Sequence, residues 1–164
     1  MTLSVSEPSV GSVGNLRHWW VPGATRPTLA ALAAPTTKDI TYSFAGDGFN
    51  PSSSDSTVTD TRQTRKVNPT KISSSTVTAT GEVVATGTES DVARVALAEG
   101  TEGWHVRRPF VENEVEPSAD DLFELYHVTC GPFGPVKVSG DIQTITQGYS
   151  IIEFDPLTTL AAGA

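Results

Sequence analysis

The residues with the greatest chemical reach in this sequence are three histidines and one cysteine: His18, His105, His127 and Cys130. The histidines fall in separate segments, without HxH, HExxH or a cysteine partner at metal spacing, so the pattern does not describe a zinc site. They read as packing or surface residues. His127 and Cys130 are a base and a thiol close in sequence, but three positions apart on a strand their side chains point to opposite faces, and a thiol enzyme is not expected. Six carboxylates, Glu112, Glu114, Glu116, Asp120, Asp121 and Glu124, are dense enough to raise calcium binding or acid and base catalysis. The DxDxDG loop with its terminal Glu is missing, and an extended segment would place Glu112, Glu114 and Glu116 on one side, as a solvated or repulsive face. No GxxxxGK[ST], GxGxxG or GxSxG occurs, and the clusters Gly46-Asp47-Gly48 and Gly131-Pro132-Phe133-Gly134 flank strand patterns instead of opening helices. Neither a cofactor nor a metal is called for. The tandem Trp19-Trp20, preceded by Arg17 and His18, has two readings: an aromatic ligand platform, or burial in a core or interface, which is the commoner use.

The elements that must carry these residues are mostly strands. Leu16 to Val21 suits a sheet, and Pro22, Gly23, Pro27 and Pro35 punctuate the stretch after it. Asp39 to Ala45 predicts a strand, with Ile40, Tyr42 and Phe44 alternating against Thr41 and Ser43. Residues 46–71 carry almost no apolar side chains, which describes a disordered loop or a protruding polar hairpin. The Thr and Val pattern at Thr57, Val58, Thr59, Thr61, Thr64 and Val67 favours a hairpin that orders against a partner surface. Ser75 to Thr86 predicts another strand with Gly81 at a bend or bulge. The spacing then predicts a helix over Thr88 to Glu99, with Thr88 and Asp91 as capping box, Val92, Val95 and Ala96 as apolar stripe, and Gly100 as terminator. Strands follow at Trp104 to Val111, Leu122 to Cys130, Val136 to Val138, Asp141 to Thr146 and Tyr149 to Phe154. The closing LTTLAAGA has no fold signal of its own. The expected fold is mainly β, a β-sandwich or barrel with one packed α-helix and a long protruding loop. Its organisation is an N-terminal arm with short strands over 1–38, a core over 39–155 with the inserted loop 46–71 and the helix 88–99, and a tail over 156–164.

Composition narrows the function. The 164 residues suit one domain, and their richness in Thr and Ser favours strands. A net charge of -8 argues against sequence-independent nucleic-acid binding, which needs cations to neutralise phosphates. Charge is uneven: residues 60–71 set Arg62, Arg65, Lys66 and Lys71 against Asp60 alone, while residues 112–155 set nine carboxylates against Lys137. In a monomer such asymmetry is usually a solvated surface; in a self-associating protein opposite patches can meet at a shared interface. A single cysteine excludes an intrachain disulfide. Without a secretory signal or a run of 18 apolar residues, the chain is expected to be made and kept in the cytosol or released by lysis, with no membrane partner.

Read in order, the pieces resemble the major tail tube proteins of long-tailed, non-contractile bacteriophages of actinobacteria. The features that carry this are Ala34-Pro35-Thr36-Thr37, Asp39-Ile40-Thr41-Tyr42 leading to Asp47-Gly48-Phe49, and a polar loop rich in Asp and Thr. A single helix closing on Glu99-Gly100-Thr101-Glu102-Gly103, paired arginines at Arg107 and Arg108, and Val128-Thr129-Cys130-Gly131 complete them. The resemblance spans roughly residues 28 to 155 and does not extend to the segment containing LRHWWVPG. It implies a non-enzymatic virion subunit, assembled in the host cytoplasm, whose homohexameric rings stack into a conduit for the genome. Partners so implied are further copies of the chain, a tape measure protein, a tail terminator and a distal tail protein, with DNA passing without sticking. On this reading Thr57, Thr59, Arg62, Arg65, Lys66 and Lys71 are candidates for contact between rings. Glu112, Glu114, Glu116, Asp120, Asp121 and Asp141 are candidates for the lumen. Competing readings are a tail terminator, a capsid-decorating protein, or a non-viral β-sandwich binding module using Trp19, Trp20 and Trp104.

Overall fold

Successive side chains of a strand point to opposite faces, and the tandem tryptophans use this to cover both faces of one sheet. In the computed structural model, which describes residues 14–59, 70–85, 91–139 and 142–163, seven strands form that sheet. They are β1 Leu16–Pro22, β2 Lys38–Asp39, β3 Phe44–Thr59, β4 Thr70–Val84, β5 Glu102–Pro109, β6 Phe123–Ser139 and β7 Ile142–Thr158. The order across the sheet is β2-β1-β5-β6-β7-β4-β3, with every neighbour antiparallel. The mainly β class expected from sequence takes the form of an open, curled half-barrel with few helices.

Each face has its own core. Trp20, Ile40, Phe49, Val83, Tyr126, Val128 and Tyr149 pack on one face beneath the short helix α2, Val92–Ala96. Trp19, Val21, Trp104, Val106, Phe123 and Leu125 pack on the other, beneath helix α1, Leu29–Leu32. The last residues close this second face: Leu160 is buried, and Leu29 N and Ala30 N donate to the carbonyls of Ala161 and Ala162. The tail thus gains its order from α1, a contact that its small residues do not announce.

Close approach explains Gly103. A Cβ there would lie 2.7 Å from the Trp20 ring and 2.7 Å from the Val21 carbonyl oxygen. Overpacking of this kind costs about 1–3 kcal/mol. Gly103→Ala is therefore expected to lower the urea midpoint with an unchanged denaturant slope; an unchanged midpoint would contradict this packing.

Several local expectations are corrected. The strand predicted over Asp39 to Ala45 breaks into β2 and a 3-10 turn at Thr41–Ser43 before β3 begins. The Asp39 carboxylate accepts from Thr41 N at 3.0 Å and Thr41 Oγ1 at 2.6 Å, a local bond that competes with the ladder. Tyr42 is consequently 78% exposed while Ile40 is buried. Helix α2 starts late: Asp91 is its N-cap, accepting from Ala93 N and Arg94 N, and Thr88 and Glu89 lie outside the described residues. Its buried side chain is Ala93, followed by Leu97 at the cap, whereas Val92 and Val95 are 50% and 62% exposed. The expected stripe is rotated by about one residue. Helix α1 was not expected; Thr28 caps it by accepting from Ala31 N. Val136 to Val138 joins the predicted Leu122 to Cys130 strand in the 17-residue β6, and the last two predicted strands merge into the 17-residue β7. Gly81 sits opposite the irregularity in β3, where Phe44 faces Val83 and Phe49 faces Gly81, and its own strand continues regularly along β7.

Candidate assembly surfaces

The acidic segment follows Phe110, whose φ of 73° turns the chain out of β5. It is not extended, so the predicted one-sided alternation of Glu112, Glu114 and Glu116 does not form. What shapes it is Arg108. On β5 the residues Trp104, Val106 and Arg108 point to the same face, which buries the guanidinium completely. Its Nη1 donates to Asp121 Oδ2 at 3.0 Å, and its Nη2 donates to the carbonyls of Glu112 at 2.9 Å and Val115 at 2.7 Å. Ser118 donates to Asp121 from N and Oγ at 3.0 and 2.9 Å. Burial alone would raise the Asp121 pKa, but these Ser118 and Arg108 bonds hold it below the usual carboxylate range. Arg17 adds a bond to the Val115 carbonyl, and Asn113 Oδ1 accepts from Leu16 N. The loop is therefore a fixed platform. Asp121 is inside its framework, while Glu112, Glu114, Glu116 and Asp120 are exposed on it. Asp141 lies outside the described residues.

The polar segment 46–59 continues β3 and pairs with β4 as a long ribbon, from Phe49 opposite Gly81 to Thr59 opposite Thr70. Thr57 faces Ile72 and Val58 faces Lys71, and all four side chains are exposed. Arg62, Arg65 and Lys66 lie outside the described residues. Beyond Ala79, where β4 leaves β7, this ribbon has no third strand among the described residues. Two strands with polar residues on both faces bury too little to stand alone in water.

Of the residues with chemical reach, only His18 and His105 come together among the described residues; His127 and Cys130 lie apart on opposite faces. His18 Nδ1 and His105 Nε2 are 2.9 Å apart in the core. His105 Nδ1 has no partner among the described residues, which suits the tautomer in which His105 Nε2–H donates to His18 Nδ1. Burial, with Arg107 nearby, pushes His18 down to about 3; burial, His18 and Arg107 hold His105 well below its ordinary value. His127 stacks on Trp104 and its Nε2 lies 2.9 Å from Glu102 Oε1, on the opposite face from Cys130. Burial raises the Cys130 pKa against a weaker Thr101 bond, so the thiol is kept from ionising. Trp19, Trp20 and Trp104 are all buried, which removes the exposed aromatics that a sugar platform requires.

Two features escaped the sequence reading. Arg108 stands above only as one of a pair, although its place in the Trp104, Val106, Arg108 alternation is a legible signal of burial. The second is the edge of β7 beyond Tyr149, unpaired among the described residues, which depends on pairings distant in sequence and leaves no local trace.

A family model described as phage tail tube protein matches residues 5–151. No curated protein matches the chain.

Proposed function

The chain belongs to the phage tail tube protein family, and from that premise we propose that it forms homohexameric rings that stack into the conduit for genome delivery. It is a structural component of the phage tail; the ring, its stacking and its passage of DNA are the finer reading. The observation that carries it is the half-barrel with its long two-stranded ribbon. An open sheet leaves unpaired backbone groups at its edges, and closure in a ring satisfies them without a limit on the number of stacked rings. The ribbon's exposed Thr57, Thr59 and Lys71 are its contacts with a neighbouring copy, together with Arg62, Arg65 and Lys66 from the adjoining segment.

In this arrangement Glu112, Glu114, Glu116 and Asp120 line the lumen with Asp141. Negative charge there repels phosphate, so duplex DNA slides without being held. Asp121 contributes by holding the loop in place. Tape measure, terminator and distal tail proteins are the partners that such a tube requires at its axis and ends, and the host cytoplasm is its place of assembly. Sedimentation at rising protein concentration is expected to give a ring of six copies and then multiples of it. Monomers persisting at high concentration would contradict the reading.

A further inference from the structure

We infer that the edge of β7 beyond Tyr149, unpaired among the described residues, receives the edge of β4 before Ala79 from a second copy of this chain, with Lys71 opposite Glu153 and Ile72 opposite Ile152. This deepens, and rests on, the reading of the ribbon as a contact between copies. Within one copy β4 pairs with β7 only from Ala79 opposite Tyr149 to Val84 opposite Thr144. There the sheet forks. On one side of the fork β4 continues to Thr70 paired only with β3, and on the other β7 continues to Thr158 paired only with β6, among the described residues. A cleft of about 640 Å³ between Thr76, Thr78, Tyr149 and Ser150 marks the crotch.

The outer edges of the sheet are poor acceptors by comparison. Strand β2 has two residues, and β3 carries Pro51, which has no N–H, and the irregularity between Phe44 and Phe49. The two inner edges, 70–78 and 150–158, carry one proline between them, Pro156 near the far end of β7, and their chemistry matches. Along Lys71–Ser74 the one charge is Lys71; along Ser150–Phe154 the one charge is Glu153, of opposite sign. Ile72 and Ile152 are exposed at 64% and 57%, so each edge presents an isoleucine to solvent beside its charged residue.

One antiparallel register satisfies both pairs at once. Setting Lys71 opposite Glu153 puts Ile72 opposite Ile152 and Ser74 opposite Ser150. Each edge also carries one extra residue relative to its own partner. In β4 this is Ser73, since Ser56 faces Ser74 and Thr57 faces Ile72; in β7 it is Ile152, since His127 faces Glu153 and Val128 faces Ile151. In the inferred register the two bulges lie side by side, so neither interrupts the pairing. Strand addition of this type takes affinity from main-chain hydrogen bonds and specificity from alternate side chains. Because the joint uses unlike edges of the two copies, it is heterologous and repeats around a ring.

The test mixes Ile72→Cys and Ile152→Cys variants under mild oxidation by diamide at assembling concentrations. Both sites are exposed, so folding is preserved, and the native Cys130 is buried. Directly opposed strand positions are close enough for a disulfide. The expected result is a covalent dimer at least about tenfold more abundant in the mixture than with either variant alone. Crosslinking of one variant with itself to the same extent would overturn the inference. Tubes visible by electron microscopy without mixed crosslinks would overturn the joint and leave the tube reading standing; neither tubes nor crosslinks would overturn both. As a second readout, Lys71→Glu or Glu153→Lys alone is expected to raise the assembly concentration severalfold, and the two together to restore it. A double variant no better than the singles would contradict the pairing.

Discussion

Arg108→Ala is expected to lower the free energy of unfolding by about 3–5 kcal/mol, the usual cost of removing one partner from a buried, hydrogen-bonded ion pair. The guanidinium has no exposure and serves three acceptors at once: the Asp121 carboxylate and the carbonyls of Glu112 and Val115. Alanine leaves these groups without their donor and opens a cavity beside Trp19, whose ring centroid is 5.7 Å from the guanidinium carbon. Arg108→Lys tests the geometry separately, because a single ammonium cannot reproduce the planar fork that reaches both Asp121 and the two carbonyls. Lysine is expected to recover less than half of the loss. Urea unfolding measures both variants, and a change below about 1 kcal/mol for Arg108→Ala would contradict the role assigned to the residue. The consequence for function runs through the loop, since Arg108, together with Arg17, holds the backbone beneath Glu112, Glu114 and Glu116.

Stability is expected to fall steeply as pH drops below 6.5, through the buried pair His18 and His105. Both histidines titrate below their ordinary value in the folded chain, His18 at about 3. In the unfolded chain each returns to its ordinary value near 6.5. Between these limits the unfolded state binds protons that the folded state refuses, so unfolding is favoured by about 1.4 kcal/mol per pH unit for each histidine. The sign follows from depressed folded values: the contribution is complete above pH 6.5 and is lost on acidification. The physical cause is burial, reinforced by the hydrogen bond itself, because a proton on His18 Nδ1 would face the N–H of His105. From pH 6.5 to 4.5, above the range where Asp39 and Asp121 titrate, His18 alone removes about 2–3 kcal/mol, and His105 adds a loss of the same sign. His105→Gln is expected to reduce the slope over that window in chemical denaturation. A wild-type stability that is flat from pH 6.5 to 4.5 would contradict the buried neutral pair.

Much of the fold was legible because strands advertise themselves locally. Trp19 and Trp20 read as buried residues, and Thr57 to Thr59 read as a strand of a hairpin, since side-chain period depends only on neighbours in sequence; their partner is β4 from Thr70 to Ile72, while Thr61, Thr64 and Val67 lie outside the described residues. The errors have a common physical origin in contacts from elsewhere. The Gly131 to Pro135 run reads as a chain break, yet β6 passes through it, with irregular register from Cys130 to Phe133 and from Phe133 to Val136. Gly131 is needed there for close approach, because a Cβ would lie 2.8 Å from the Gly148 carbonyl oxygen of β7. The alternation at Ile40, Tyr42 and Phe44 lost to a local bond from Asp39. The acidic loop was legible as charge but not as shape, because its shape is set by Arg108 and Arg17 from two strands. The fork between β4 and β7 was not legible at all. It follows from where two long-range pairings end, and no residue at Ala79 or Tyr149 signals it.

Electron cryomicroscopy of the purified chain concentrated to the point of assembly tests the central claim most directly. The expected reconstruction is a tube of stacked six-membered rings, with the half-barrels joined into one continuous wall and Glu112, Glu114 and Glu116 on its inner surface. Copies that remain single, or rings whose acidic loops face the outer wall, would contradict the account.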